Sequence, residues 1–352
     1  MNKKQITRLL CFLVLVALTL GLLCGLFEYP NSHMSERFET YQNLDKNTVD
    51  AVYIGTSGVD RFWIGAKAYN DYGMTVYPLS VDALPSWLVL NTVKQAFKGQ
   101  EPKLIIVDVR SFAWDPSGSV ETAEKRSRRL IDQLDFVSLN RFSAIHRSLS
   151  LINRIDPTVS KYDLSFYLPF IRYHDMWDTE DFSFDEIGRD ESETMGFYIH
   201  KTKSVRSTQI KTSSYSSKSE ELNEYSAENL RELLKYLKEN GIDALFVSSP
   251  RYTTDELSES YNGIFDIIEE EGFPYLNFNC EENAEKYPMD FDRDYYDNGH
   301  VNFFGAEKYT EYFSEYLHEN YEFTDRREGD GLEGWAKAWQ NINKTMDKLS
   351  KK

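Results

Sequence analysis

Cysteine is scarce in this chain, with three in 352 residues. Cys11 and Cys24 fall inside a single apolar run, which leaves Cys280 alone in the remainder. That excludes a disulfide framework and a cysteine-based zinc cluster. Histidine offers no metal signature either, because His33, His146, His174, His200, His300 and His318 include no pair at helical i, i+4 spacing. Positive charge is the next shortage: 40 Lys and Arg stand against 57 Asp and Glu, for a formal net charge of −17. A nucleic-acid-binding protein needs a basic footprint, so that class is excluded. Loose electrostatic adsorption to an anionic membrane or polymer is excluded by the same sign of charge. No internal repeat is visible. Hydrophobic residues make up 41% and aromatics 14%, enough for a sizeable core rather than a disordered chain.

Long apolar runs occur once. Residues 9–27 read LLCFLVLVALTLGLLCGLF without a charge, close to the roughly 20 residues that span a bilayer as a helix. Lys3, Lys4 and Arg8 precede the run, and Glu28 and Glu36 follow it. Positive charge stays inside, so residues 1–8 are expected to be a cytoplasmic tail and the rest to lie outside the plasma membrane. A cleaved signal peptide is the alternative, but no small-x-small site follows the run. Leu22 and Leu23 also stand where a lipoprotein signal would carry small residues ahead of Cys24. The expectation is a single-pass, uncleaved anchor.

Beyond it, residues 28–48 are polar and are expected to form a stalk. A βα rhythm then begins. Apolar runs at Ala51–Ile54, Met74–Leu79, Leu104–Val109, Ala244–Val247 and Tyr275–Phe278 read as strands. Helical spacing covers Leu88–Phe97, a segment capped by Ser226, the stretch around Leu257–Ile268, and Tyr309–Leu317. The predicted fold is α/β: three layers, with a mostly parallel five-stranded sheet and helices on both faces, over residues 49–320. Residues 115–222 break the rhythm and read as an insertion after the third strand, where it could cover a site. Residues 321–352 read as a helical extension with no evident chemistry.

Two places could carry chemistry. Ser57 follows the first strand in Ile54-Gly55-Thr56-Ser57-Gly58. A serine at a strand-to-helix turn projects its hydroxyl at the sheet's C-terminal edge, and its own N–H can face a developing oxyanion. Gly-Thr-Ser-Gly is also ordinary loop chemistry. The second place is Asp297-Asn298-Gly299-His300, just before the last helix. A carboxylate three residues ahead of a histidine can accept its Nδ1–H, fix the tautomer, and leave Nε2 as a general base. The same residues could simply form a capping loop, with Asn302 as N-cap. Their conjunction is more specific than either alone, since a doubly wound sheet can bring both to one edge. Arg110 and Arg251 follow strand ends and could hold an anionic group or form salt bridges. His174 lies in an aromatic stretch of the insertion and could touch substrate or simply pack.

These two segments resemble the first and last blocks of the SGNH/GDSL hydrolase superfamily, here Gly55-Thr56-Ser57 and Asp297-x-x-His300. Within it the chain looks most like membrane-anchored members of bacterial envelopes, such as the D-alanine transfer protein of lipoteichoic acid synthesis and the proteins of alginate O-acetylation. The resemblance implies a serine O-acyltransferase or acylesterase that needs no cofactor, with Ser57 as nucleophile, His300 as base and Asp297 as its orienting acid. It implies an acyl donor and a cell-envelope polysaccharide or polymer as partners, with a membrane-bound O-acyltransferase beside it in many relatives. A non-catalytic accessory role beside such an acyltransferase is the alternative. The chain departs from the pattern in three places. Thr56 replaces the first block's aspartate. The second block's glycine has no counterpart, the nearest candidates being Ser80 or the backbone around Asp82. Asp108-Val109-Arg110-Ser111 stands where Gly-x-Asn-Asp is expected. Two of the usual three oxyanion donors are therefore unassigned.

Overall fold

The computed structural model describes residues 2–26, 32–114, 119–160, 162–174, 191–200, 212–329 and 331–351. The sheet has five strands: β1 (Ala51–Gly55), β2 (Val76–Ser80), β3 (Leu104–Asp108), β4 (Ala244–Ser248) and β5 (Tyr275–Asn277). All neighbouring pairs are parallel, in the order β2-β1-β3-β4-β5. Every residue of β1 to β4 is buried. That requires cover on both faces, which is why these strands are continuous apolar runs rather than alternating ones.

The helices are α1 (Lys3–Leu26), α2 (Ser32–Asn43), α3 (Ser57–Asp60), α4 (Gly65–Tyr72), α5 (Ser86–Ala96), α6 (Val120–Ile131), α7 (Leu139–Ile155), α8 (Leu164–Tyr167), α9 (Pro169–Tyr173), α10 (Glu224–Glu239), α11 (Asp255–Glu270), α12 (Glu281–Lys286), α13 (Phe303–Asn320) and α14 (Glu333–Ser350). One group packs α4 against α13 and α14, and another packs α5 against α7 and α10. The strand order reverses at β1, so the switch-point crevice opens between the C-terminal ends of β1 and β3. Ser57 starts α3 directly beyond that end of β1.

The apolar run is a helix, long and apolar enough to cross a membrane over Lys3–Gly25. The expected stalk is corrected in part: within it, α2 turns Met34, Arg37, Phe38 and Tyr41 into the core. Arg37 hid this amphipathic face. Its buried guanidinium lies 3.2 Å from the Asp60 carboxylate and donates to the Gly196 and Ser80 carbonyls at 3.1 and 3.0 Å. The C-terminal extension is likewise part of the body, because Trp335, Ala338, Ile342 and Met346 are buried along one face of α14. Ser226 does not cap its helix: Asn223 does, accepting the Ser226 N–H at 2.9 Å. The helix starts one turn early because asparagine is an equally good cap. The insertion supplies α6 to α9, with α7 lying against α5; its Ser-rich stretch is described only from residue 212 onward.

Candidate active site

Local backbone geometry places the serine. β1 ends at Gly55, and Thr56 is extended and caps α3, its side chain accepting the Gly58 N–H at 3.2 Å. Asp108, at the end of β3, and Arg110 crowd this turn from beneath. A Cβ on Gly55 would lie 2.5 Å from the Asp108 Cβ, and one on Gly58 would lie 2.7 Å from both the Arg110 guanidinium and an Asp108 carboxylate oxygen. The two glycines are thus demanded by close approach.

The histidine loop comes from the other end of the chain. Tyr295 and Val301 form an antiparallel bridge, and the Tyr296 N–H donates to the His300 carbonyl at 3.1 Å. Asn302 caps α13, accepting the N–H groups of Phe304 and Gly305. Arg110 Nη1 donates to the Gly299 carbonyl at 2.8 Å, and Nη2 to the Ser249 carbonyl at 3.3 Å. One buried guanidinium therefore ties the histidine loop to the end of β4 while packing under α3.

The two ends meet. Ser57 Oγ lies 2.7 Å from His300 Nε2, and His300 Nδ1 lies 3.0 Å from each Asp297 carboxylate oxygen. Partial burial would raise the Asp297 carboxyl, but the His300 hydrogen bond and charge and the Gly299 N–H outweigh it and bring it down to about 2. An ionised Asp297 fixes the Nδ1–H tautomer and leaves Nε2 to accept the serine proton. The side chains of His300 and Asp297 are 24% and 39% exposed, so solvent reaches the pair. Among the described residues no protein acceptor meets the Ser57 N–H at the start of α3.

The remaining candidates are placed differently. Arg110 is almost wholly buried and directs its hydrogen bonds to backbone carbonyls, so it positions loops. Asp108 beside it has its carboxyl pushed up by burial, with Arg110 pulling the other way. Ser80 is buried and donates to Asp60 at 2.9 Å. Asp82 lies 3.3 Å from His33 and 3.7 Å from Arg61. Burial works against its charge, but the His33 hydrogen bond and Arg61 hold it below the usual carboxylate range. His174 is exposed at the end of α9, its Nδ1 3.0 Å from the Ile171 carbonyl; residues 175–190 after it lie outside the described residues.

Three residues of this rim escaped the sequence reading. The Tyr296 ring stacks at 5.6 Å on His300 and at 3.5 Å on His200. Arg61 donates to the Tyr296 hydroxyl at 2.7 Å. Arg61 is four residues from Ser57 and Tyr296 adjoins Asp297, so proximity to the motifs was the available signal. Among the described residues no cluster of three His, Cys, Asp or Glu side chains could hold a metal ion.

No family model matches this chain, and no curated protein does. Among solved structures it is similar to a Bacteroides fragilis protein provisionally described as an acylhydrolase, with 8% identity, 80% of this chain and 93% of that chain covered, and a TM-score of 0.33. A likeness that loose carries no argument about the chemistry here.

Proposed function

We propose that this chain is a membrane-anchored serine acyltransferase or acylesterase working through an acyl-Ser57 intermediate. The observation that carries this reading is the unbroken relay from Ser57 Oγ through His300 to Asp297. His300 Nε2 takes the hydroxyl proton as Ser57 Oγ bonds to the carbonyl carbon of an ester donor. The Ser57 N–H is aimed at the resulting oxyanion, and one such donor contributes about 2.7–4 kcal/mol in hydrolases. Collapse of the intermediate expels the donor alcohol, which leaves with the proton from His300. A second hydroxyl then gives its proton to His300 and takes the acyl group from Ser57 by the same steps in reverse. In transfer that hydroxyl belongs to a polymer or sugar of the cell envelope, outside the plasma membrane; in hydrolysis it is water. The relay favours this reading over a non-catalytic accessory protein, which has no need of an aligned base.

The test is incubation of the full chain with an activated ester or a fluorophosphonate, followed by intact-mass measurement. The expected result is a single covalent adduct, lost in Ser57→Ala and in His300→Gln. Failure of the wild-type chain to form any adduct would remove the enzymatic reading and leave the accessory one.

A further inference from the structure

Outside α1, the described residues carry few large apolar side chains exposed to solvent, and those few are concentrated. All but Tyr275 fall between residues 136 and 171 of the insertion. Val137 is 80% exposed, Leu139 89%, Tyr162 81% and Leu164 61%, with Phe136 and Phe142 at 40% and 45%. Contacts among their neighbours draw the start of α7 and the α8 segment together. Phe142 meets Tyr167 in a tilted ring contact at 6.2 Å, and Arg141 reaches both the Phe136 ring and the Phe166 carbonyl. α9 follows α8 directly and carries Ile171, 38% exposed. A concentration of exposed apolar side chains of this kind in one segment marks a contact with something apolar.

The anchor says what that something is. The end of α1 rests on α9, and Cys24 is buried there. At 1.5 Å per residue, Cys24 lies about 5 Å from the end of the apolar run, at the boundary between hydrocarbon and headgroups. Whatever packs on that turn sits at the same height. We propose that the 136–171 face of the insertion is a membrane-docking surface, its occupant the headgroup–acyl boundary of the bilayer that holds α1. The mix of Phe, Tyr, Leu and Val suits that boundary, where amphipathic rings and aliphatic side chains bury to shallow depth. The exposed side chains that make up this face are uncharged, so its docking is expected to rest on burial of apolar surface and to persist at high salt. The proposal is independent of whether Ser57 is reactive.

The test uses the full chain reconstituted in vesicles of phosphatidylcholine and phosphatidylglycerol, with Cys11, Cys24 and Cys280 replaced. A single cysteine, Val137→Cys or Leu139→Cys, carries an environment-sensitive fluorophore, and Tyr275→Cys serves as the exposed control. Quenching by brominated lipid is expected to be several-fold stronger at 137 and 139 than at 275, with iodide quenching weaker, at low and high salt alike. Equal bromolipid quenching at all three positions, with iodide reaching each, would overturn the proposal. Protection from iodide without bromolipid quenching would also overturn it, since a second copy of the chain would then cover the face.

Discussion

Replacing Arg110 with methionine should damage both the fold and the relay, and the size of the loss can be worked out. The guanidinium lies 3.8 Å from the Asp108 carboxylate, with side-chain exposures of 8% and 0%. Removing one partner of such a pair costs about 3–5 kcal/mol, because the survivor is left charged without its nearest counter-ion. The Gly299 and Ser249 carbonyls also lose donors, at about 1 kcal/mol each. Burial already pushes the Asp108 carboxyl up, so without Arg110 it takes up a proton, which caps the penalty. We expect a net loss of about 3 kcal/mol, near the lower end of the cost of breaking such a pair. At the 2–4 °C per kcal/mol of large domains, the melting temperature of the full chain in detergent should fall by roughly 6–12 °C. Adduct formation at Ser57 should slow as well, since the Gly299 carbonyl that Arg110 holds adjoins His300. Asp108→Asn alone should also destabilise, but the double variant Arg110→Met with Asp108→Asn should be better than additive by about 2 kcal/mol. Arg110→Lys should rescue little, because an ammonium cannot reproduce the forked pair of bonds. A single Arg110→Met variant that melts like the wild type, or a strictly additive double variant, would refute the reasoning.

Three further outcomes are expected. Asp297→Asn should keep the fold but cut the rate of adduct formation by up to about 10⁴-fold, through the wrong imidazole tautomer; a rate within a few-fold of wild type would show that Asp297 does not orient the base. Gly55→Ala drives a methyl group against the Asp108 Cβ and Val59, and should cost about 1–3 kcal/mol of stability in a denaturant titration. The Asp297 carboxyl sits at about 2 against an ordinary 3.8. Its contribution to stability is therefore complete above pH 3.8 and is lost as the pH falls toward 2. A carboxylate NMR titration should find its midpoint in that lower range, and a midpoint above 4 would contradict the hydrogen-bond pattern.

The sheet was legible because buried parallel strands leave continuous apolar runs of about five residues, such as Leu104–Val109, bounded by turn residues. The juxtaposition of Ser57 and His300 followed from topology, since both segments end at the same sheet edge in a doubly wound fold. α2 was not legible, because its inward face includes Arg37, and an inward arginine looks like solvent-facing polarity unless its buried partner Asp60 is known. The rim formed by Arg61, Tyr296 and His200 depends on pairings across more than 90 residues, which no local pattern encodes. Arg110 reads in the sequence either as a ligand for an anion or as a salt-bridge partner; the Asp108 pairing and the carbonyls of Gly299 and Ser249 that occupy its donors exist only once the fold is closed.

The docking of α2 constrains reach. Only five residues, 27–31, join the end of α1 to the start of α2. Even fully extended, such a link spans about 17 Å. With α2 keyed into the core by Arg37, the folded body is on a short leash to α1 and cannot range far from whatever holds that helix. If the proposed acyl transfer holds, its acceptor must come within that reach of the bilayer for Ser57 to act on it.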